Sequence, residues 1–351
     1  MITTPMREDF AALAAVESLY QPLQGRRIYV TGASGQIGWY LVHFLCFLIA
    51  GGHLRCELTA HLRNPRRLQE KFPEHASLPC RFAVDEDAAT ALAAADFDLV
   101  LHCASRASPK HFAGSPVDVL TPNAILTQAL LEQLRRRNPA CRFVYLSTTG
   151  VTGFIPDEQR PSSESEYGPL SCTELGNCYL ESKRFGEMLC LAYQQQYGIP
   201  VLILRPSITY GPGFELDDGR SYADFVRALL AGEPIRLTSD GSAVRNFLYV
   251  ADFVRGLLVA LAKAAPGAVL NVASPAPISI LELATLLNDR ALPRPLGQVE
   301  RQTSPAQAMT RVNFKSTDAS VDQLRALGWE MTIDPLAGFQ RTIRHYQECI
   351  Q

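Results

Sequence analysis

The chain has 351 residues, 47% of them hydrophobic and 19% charged, with a formal net charge of −2. This balance excludes a disordered or fibrous chain and gives no electrostatic reason to expect nucleic acid or an anionic membrane as partner. Nine cysteines, odd in number and without a CxxC pair, sit mostly in apolar runs, so they are expected to be reduced thiols of a cytoplasmic protein, with no metal site.

The opening stretch with Thr3, Arg7, Glu8 and Asp9 lacks an apolar signal core, and residues 8–20 read as a short amphipathic helix ahead of the main fold. Strand-like runs follow at Arg27–Thr31, Glu57–Leu62, Arg81–Val84, Leu99–His102, 142–147, 201–205 and Val269–Val272. Helical patterns at 36–49, 124–136 and 179–197 lie between them. The longest apolar stretch, from Trp39 to Ala50, is too short to cross a bilayer core of about 30 Å and reads as a buried helix. This alternation predicts an α/β protein: a Rossmann-type doubly wound parallel sheet with a smaller C-terminal substrate lobe. The expected division is an N-terminal helical extension over 1–23, a dinucleotide-binding domain over 24–206 plus 246–272, and a substrate lobe over 207–245 plus 273–351.

Three signals carry chemistry. In Val30-Thr31-Gly32-Ala33-Ser34-Gly35-Gln36-Ile37-Gly38 a strand runs into a glycine-punctuated turn that opens a helix. Gly32 permits the turn, Gly35 lets backbone approach a pyrophosphate, and Gly38 lets the helix pack closely, with Gln36 and Ile37 at the helix start. At the end of the next strand stands Arg63 in place of a carboxylate, which leans toward NADP over NAD, and Asp85 after the third strand is a candidate for the adenine amine. In Tyr179-Leu180-Glu181-Ser182-Lys183 the tyrosine and lysine share one helix face, where an ammonium favours the phenolate. The phenol then exchanges a proton with a carbinol or carbonyl while hydride moves to or from nicotinamide. The upstream strand ends in Ser147 and Thr148, hydroxyls able to orient the same oxygen.

These motifs, in this order, resemble the extended short-chain dehydrogenase/reductase superfamily of nucleotide-sugar epimerases, dehydratases and decarboxylases. The segment from Leu101 to Pro109 is similar to the HLAxxASP loop of UDP-glucuronate decarboxylases; Asp218-Gly219-Arg220 resembles their DGR segment; Asp240 to Asp252 resembles GDGxxxRxFxYVxD. The resemblance implies a catalytic set of Thr148, Tyr179 and Lys183. It implies cofactor contacts from Ala104, Ser105, Ser147 and Pro206, and substrate contacts from Ser108 and Thr149. Arg220 and Arg245 would face a nucleotide diphosphate. It also implies a homodimer formed through the helices at 124–136 and 179–197.

Two departures stand out. The Asp-Glu pair that follows the catalytic threonine in the dehydratases, whose glutamate the decarboxylases keep, is replaced by Thr149 and Gly150, so an acid could come only from elsewhere, such as Glu174 or a cysteine near Tyr179. Ile208 stands where nucleotide-sugar enzymes usually carry asparagine. The leading expectation is an NAD(P)-dependent epimerase or ketoreductase acting on a nucleotide-diphosphate sugar. The alternatives are an NADP-dependent reductase of another secondary alcohol, a dehydratase or decarboxylase with a displaced acid, and a non-catalytic dinucleotide sensor.

Overall fold

The computed structural model describes residues 2–301 and 316–350. The seven strands of the central sheet, β1–β7, are Arg27–Thr31, Glu57–Leu62, Arg81–Val84, Leu99–His102, Arg142–Leu146, Val201–Pro206 and Val269–Val272. They lie in the order β7-β6-β5-β4-β1-β2-β3, and every pairing is parallel. Strands β4 and β6 are buried along their whole length, as a parallel sheet covered on both faces requires. The chain reverses its direction of winding between β1 and β4, and in such sheets that crevice is where ligands bind.

Helix Gln36–Ala50 is apolar nearly all round and sinks into the core, where Leu41, Phe44, Leu45 and Leu48 are buried. Residues from 207 onward add short strand pairs: Ile208–Tyr210 with Phe247–Tyr249, Val244–Arg245 with Ile278–Ser279, and Arg236–Leu237 with Glu300–Arg301. Helices Ser221–Ala231, Ile280–Arg290 and Pro335–Ile350 accompany them. Residues 302–315 of the expected substrate lobe lie outside the described residues.

The N-terminus departs from expectation. A helix begins at Thr4 and ends at Ala14, and a separate turn of helix covers Glu17–Tyr20. Met6, Phe10 and Leu13, on one helical face, join the main core. Asp9 is buried between the hydroxyls of Tyr40 and Tyr249, at 2.9 and 2.7 Å, and pairs with Arg341. Sequence periodicity marks the apolar face but not this polar knot, whose members are drawn from four distant segments. No helix among the described residues is long and apolar enough to cross a membrane.

Candidate active site

The carboxyl ends of the strands open into a cleft of about 1170 Å³. A single drug-sized ligand fills roughly 300–1,000 Å³, so this cleft has room for a dinucleotide and a second molecule. Gly32 holds a φ of +67°, and a Cβ there would lie 2.5 Å from the Ala104 backbone nitrogen. A Cβ on Gly38 would strike the Gly32 carbonyl, whereas one on Gly35 would come no nearer than 3.4 Å to protein. Gly32 and Gly38 are therefore required by the fold itself, and Gly35 is not. The Gln36 side chain is tied to the backbone at Thr209 and Gly211, donating to the Thr209 carbonyl and accepting from the Gly211 N–H, each at 3.1 Å, while its neighbour Ile37 lines the cleft.

The hydroxyls of Ser105, Ser147 and Ser207 are buried without a hydrogen-bond partner, and all three residues line this cleft. An unmet buried hydroxyl costs about 1–3 kcal/mol, so three of them mark positions where a polar ligand completes the structure. Together with the glycine turn they fit a dinucleotide.

At the other end, β5 stops at Leu146 and passes to Ser147 and Thr148; the Thr148 hydroxyl accepts from the Gly150 N–H at 3.3 Å. Tyr179 enters from the first turn of helix Cys178–Tyr197, and its phenol lies near enough to the Thr148 hydroxyl to feel it electrostatically. That helix is fixed to the sheet by Arg205, fully buried, which donates to Glu187 at 2.9 and 2.7 Å. Lys183 shares the helix face with Tyr179, yet its ammonium donates to the Leu146 carbonyl at 2.5 Å and lies 6.0 Å from the Tyr179 ring centre. Burial pushes the phenol up to about 12, opposed by the charge of Arg220 and the nearby Thr148 hydroxyl. Burial brings Lys183 down to about 7. A ligand hydroxyl reaching Lys183 would find two ammonium donors still free of the Leu146 carbonyl.

The remaining expected residues divide into those whose polar groups face the cleft and those already engaged. Arg63 is exposed at the end of β2, lines the cleft and has no ion-pair partner among the described residues. Its neighbours Arg66 and Arg67 are paired with Glu70, and Arg67 also with Glu215. Asp85 does not line the cleft: its carboxylate accepts from the Asp87 N–H at 2.9 Å, and Glu86 and Asp87 occupy the wall instead. The Ser108 hydroxyl donates to the Asp218 carbonyl, which joins its loop to the segment bearing Arg220. Thr149, Pro206, Arg220 and Arg245 line the cleft. Arg245 donates to the Val244 carbonyl at 2.7 Å, and burial lowers its guanidinium to about 10. Arg220 pairs with Asp218, lies 5.0 Å over the Tyr222 ring and acts on the Tyr179 phenol.

Neither suggested substitute acid faces the cleft. Glu174 is exposed and outside its lining, and the buried Cys178 thiol is turned to the Phe112 carbonyl, 3.8 Å away. The place of the missing glutamate is filled by carbon: a Cβ on Gly150 would lie 2.8 Å from Leu180 Cδ2. Phe112 stacks on Tyr179 with ring centres 5.3 Å apart and planes 9° from parallel. Sequence reasoning passed over Phe112, Leu180 and Ser207, although Ser207 directly follows the expected Pro206 and Leu180 lies inside the YxxxK motif.

The family model described as NAD dependent epimerase/dehydratase family matches residues 28–273. UDP-glucuronic acid decarboxylase 1 of Xenopus tropicalis is 28% identical over 99% of this chain and 80% of that protein. A dTDP-glucose 4,6-dehydratase of Streptomyces venezuelae, solved as a double mutant with NAD bound, is 26% identical, with a TM-score of 0.75 over 92% of this chain and 97% of that one. The UDP-glucuronic acid 4-epimerase of Bacillus cereus, solved with UDP-glucuronic acid and NAD, is similar in fold, with a TM-score of 0.75 at 22% identity over 92% of this chain and 99% of that one.

Proposed function

This chain belongs to the NAD dependent epimerase/dehydratase family, and from that premise we propose that it performs reversible oxidation and reduction at a secondary carbinol of a nucleotide-diphosphate sugar, with epimerisation as the net reaction. The observation that carries this reading is the Leu180 side chain over Gly150. It leaves Tyr179 and Thr148 as the hydroxyl pair at the reacting end, without the carboxylate that elimination or decarboxylation would use.

In this reading Thr148 and Tyr179 grip the reacting oxygen, and Tyr179 takes the carbinol proton as the carbon is oxidised. Tyr179 returns the proton when the carbonyl is reduced from its other face, which inverts the centre. Lys183 orients a ribose hydroxyl, and its charge then favours the phenolate. The Gly32–Gly38 turn and the hydroxyls of Ser105, Ser147 and Ser207 would hold the dinucleotide, which supplies hydride acceptor and donor when bound. Arg245 would face the sugar's diphosphate. The dinucleotide released from purified protein by denaturation, identified by mass spectrometry, tests this. Stoichiometric, tightly held NAD or NADP is expected; protein that purifies empty and consumes one reduced dinucleotide per product overturns epimerisation.

One observation favours a second reading, a net ketoreductase using NADPH: Arg63, with no ion-pair partner among the described residues, lines the cleft at the end of β2, where a carboxylate would suit a ribose hydroxyl and an arginine a 2′-phosphate. Arg63→Ser then lowers the NADPH-to-NADH preference about tenfold or more, and an unchanged ratio removes this support. We also propose a homodimer. Val117, Ile125, Phe185 and Met188 are 69%, 62%, 53% and 65% exposed on three helices that pack together, an apolar surface suited to a second copy. Light scattering on Phe185→Glu, expected to be monomeric beside a dimeric parent, tests that.

A further inference from the structure

Resting on the nucleotide-sugar reading, we propose that the substrate is a deoxy sugar: the carbon beside the reacting carbinol carries a methyl group where ordinary hexoses carry hydroxymethyl and uronates carry carboxylate. The wall that flanks the reacting oxygen is made of carbon. The Phe112 ring lies parallel to the Tyr179 ring, 5.3 Å away, and Leu180, only 9% exposed, follows Tyr179 and folds over Gly150. Ile208 and Phe214 add further apolar surface to the same cleft.

With the reacting oxygen held by Tyr179 and Thr148, the substituent on a neighbouring carbon leaves water against this wall. A hydroxyl there meets neither donor nor acceptor on Phe112 or Leu180, and a buried polar group without a partner is penalised. A methyl group loses nothing and gains burial. The polar side chains remaining at this end, Thr149 and His111, serve hydroxyls that the sugar keeps. Arg220 is the charged group acting on Tyr179, but its guanidinium is already paired with Asp218 and laid over Tyr222, so a substrate carboxylate would compete with Asp218.

The test uses the full chain with UDP-6-deoxyglucose, UDP-glucose and UDP-glucuronate, which differ at that one carbon, and follows C4 inversion or dinucleotide reduction. The deoxy sugar is expected to show a kcat/KM at least about tenfold above the other two, the discrimination a buried unmet hydroxyl supports. Leu180→Asn, which branches at the same carbon as Leu and can bond a hydroxyl, is expected to erase that preference. Preference for hydroxymethyl or carboxylate overturns the inference, and so does a preference that survives in Leu180→Asn. If UDP itself binds and the three sugars react alike, this inference fails while the nucleotide-sugar reading stands. If neither UDP, dTDP nor any of the sugars binds, the nucleotide-sugar reading falls and takes this inference with it.

Discussion

Two parts of the cleft wall are built on opposite principles. Just past the carboxyl ends of β4, β5 and β6, three buried hydroxyls, Ser105, Ser147 and Ser207, are left without partners. At the reacting end, Phe112 and Leu180 present no polar atom at all. Unmet polar groups are costly in a folded protein, so where they cluster they record the ligand the cleft is shaped around. An apolar wall records what the ligand lacks. The hydroxyls would favour a polar ligand by demand, and the carbon wall would restrict it by refusal.

The largest effect that tests this contrast is at the reacting end. Tyr179→Phe removes the proton-exchanging group and is expected to lower turnover about a thousandfold, within the usual range for general acid–base catalysis. Dinucleotide affinity should hold within about twofold, because the glycine turn and the serine hydroxyls are untouched. Turnover close to the parent would place the chemistry elsewhere.

The glycine turn allows the cofactor end to be split into fold and function. Gly32→Ala forces a side chain into a positive-φ position and against the Ala104 backbone, so it is expected to cost about 1–3 kcal/mol or more of stability, visible as a lowered Tm. Gly35→Ala has no such clash and should leave Tm unchanged while weakening dinucleotide binding about tenfold or more. If both variants melt alike, the assignment of Gly35 to the ligand is wrong. Ser147→Ala gives a smaller effect of mixed sign. Deleting an unmet buried hydroxyl should leave ligand-free protein as stable as the parent or slightly more so, yet weaken cofactor binding by up to about tenfold. A variant that loses stability without ligand would show that the hydroxyl has a structural partner.

Legibility in the sequence followed the range of the interactions. The first strands were readable to within a residue because their pattern is local: short, mostly apolar runs bounded by turns. The glycine turn and the Tyr179–Lys183 spacing were readable for the same reason. Asp9 was not, since its partners Tyr40, Tyr249 and Arg341 come together only when helix Thr4–Ala14 meets helix Pro335–Ile350. The fates of Ser108 and Asp85 were equally hidden: one hydroxyl is drawn to the Asp218 carbonyl, and one carboxylate to the N–H two residues on. A residue type indicates what a side chain can do, and its competing partners decide whether it is free to do it.

Arg220 is the smallest and sharpest case. The motif resemblance assigned it to a diphosphate, but its guanidinium, held by Asp218 and Tyr222, acts on the Tyr179 phenol. Its positive charge favours the phenolate, so removing it must raise the phenol pKa. When the carbinol is oxidised, Tyr179 must be deprotonated to accept the proton, and rate rises with pH through that pKa. When the ketone is reduced, Tyr179 must be protonated, and rate falls through it. In both directions Arg220→Gln therefore moves the inflection of the pH–rate profile upward. A residue that only grips a diphosphate gives a different signature: KM increases while the inflection stays in place, because no charge has been taken from beside the phenol. Measuring kcat against pH at saturating substrate, alongside KM, separates the two roles in one variant, and an unmoved inflection would return Arg220 to the diphosphate.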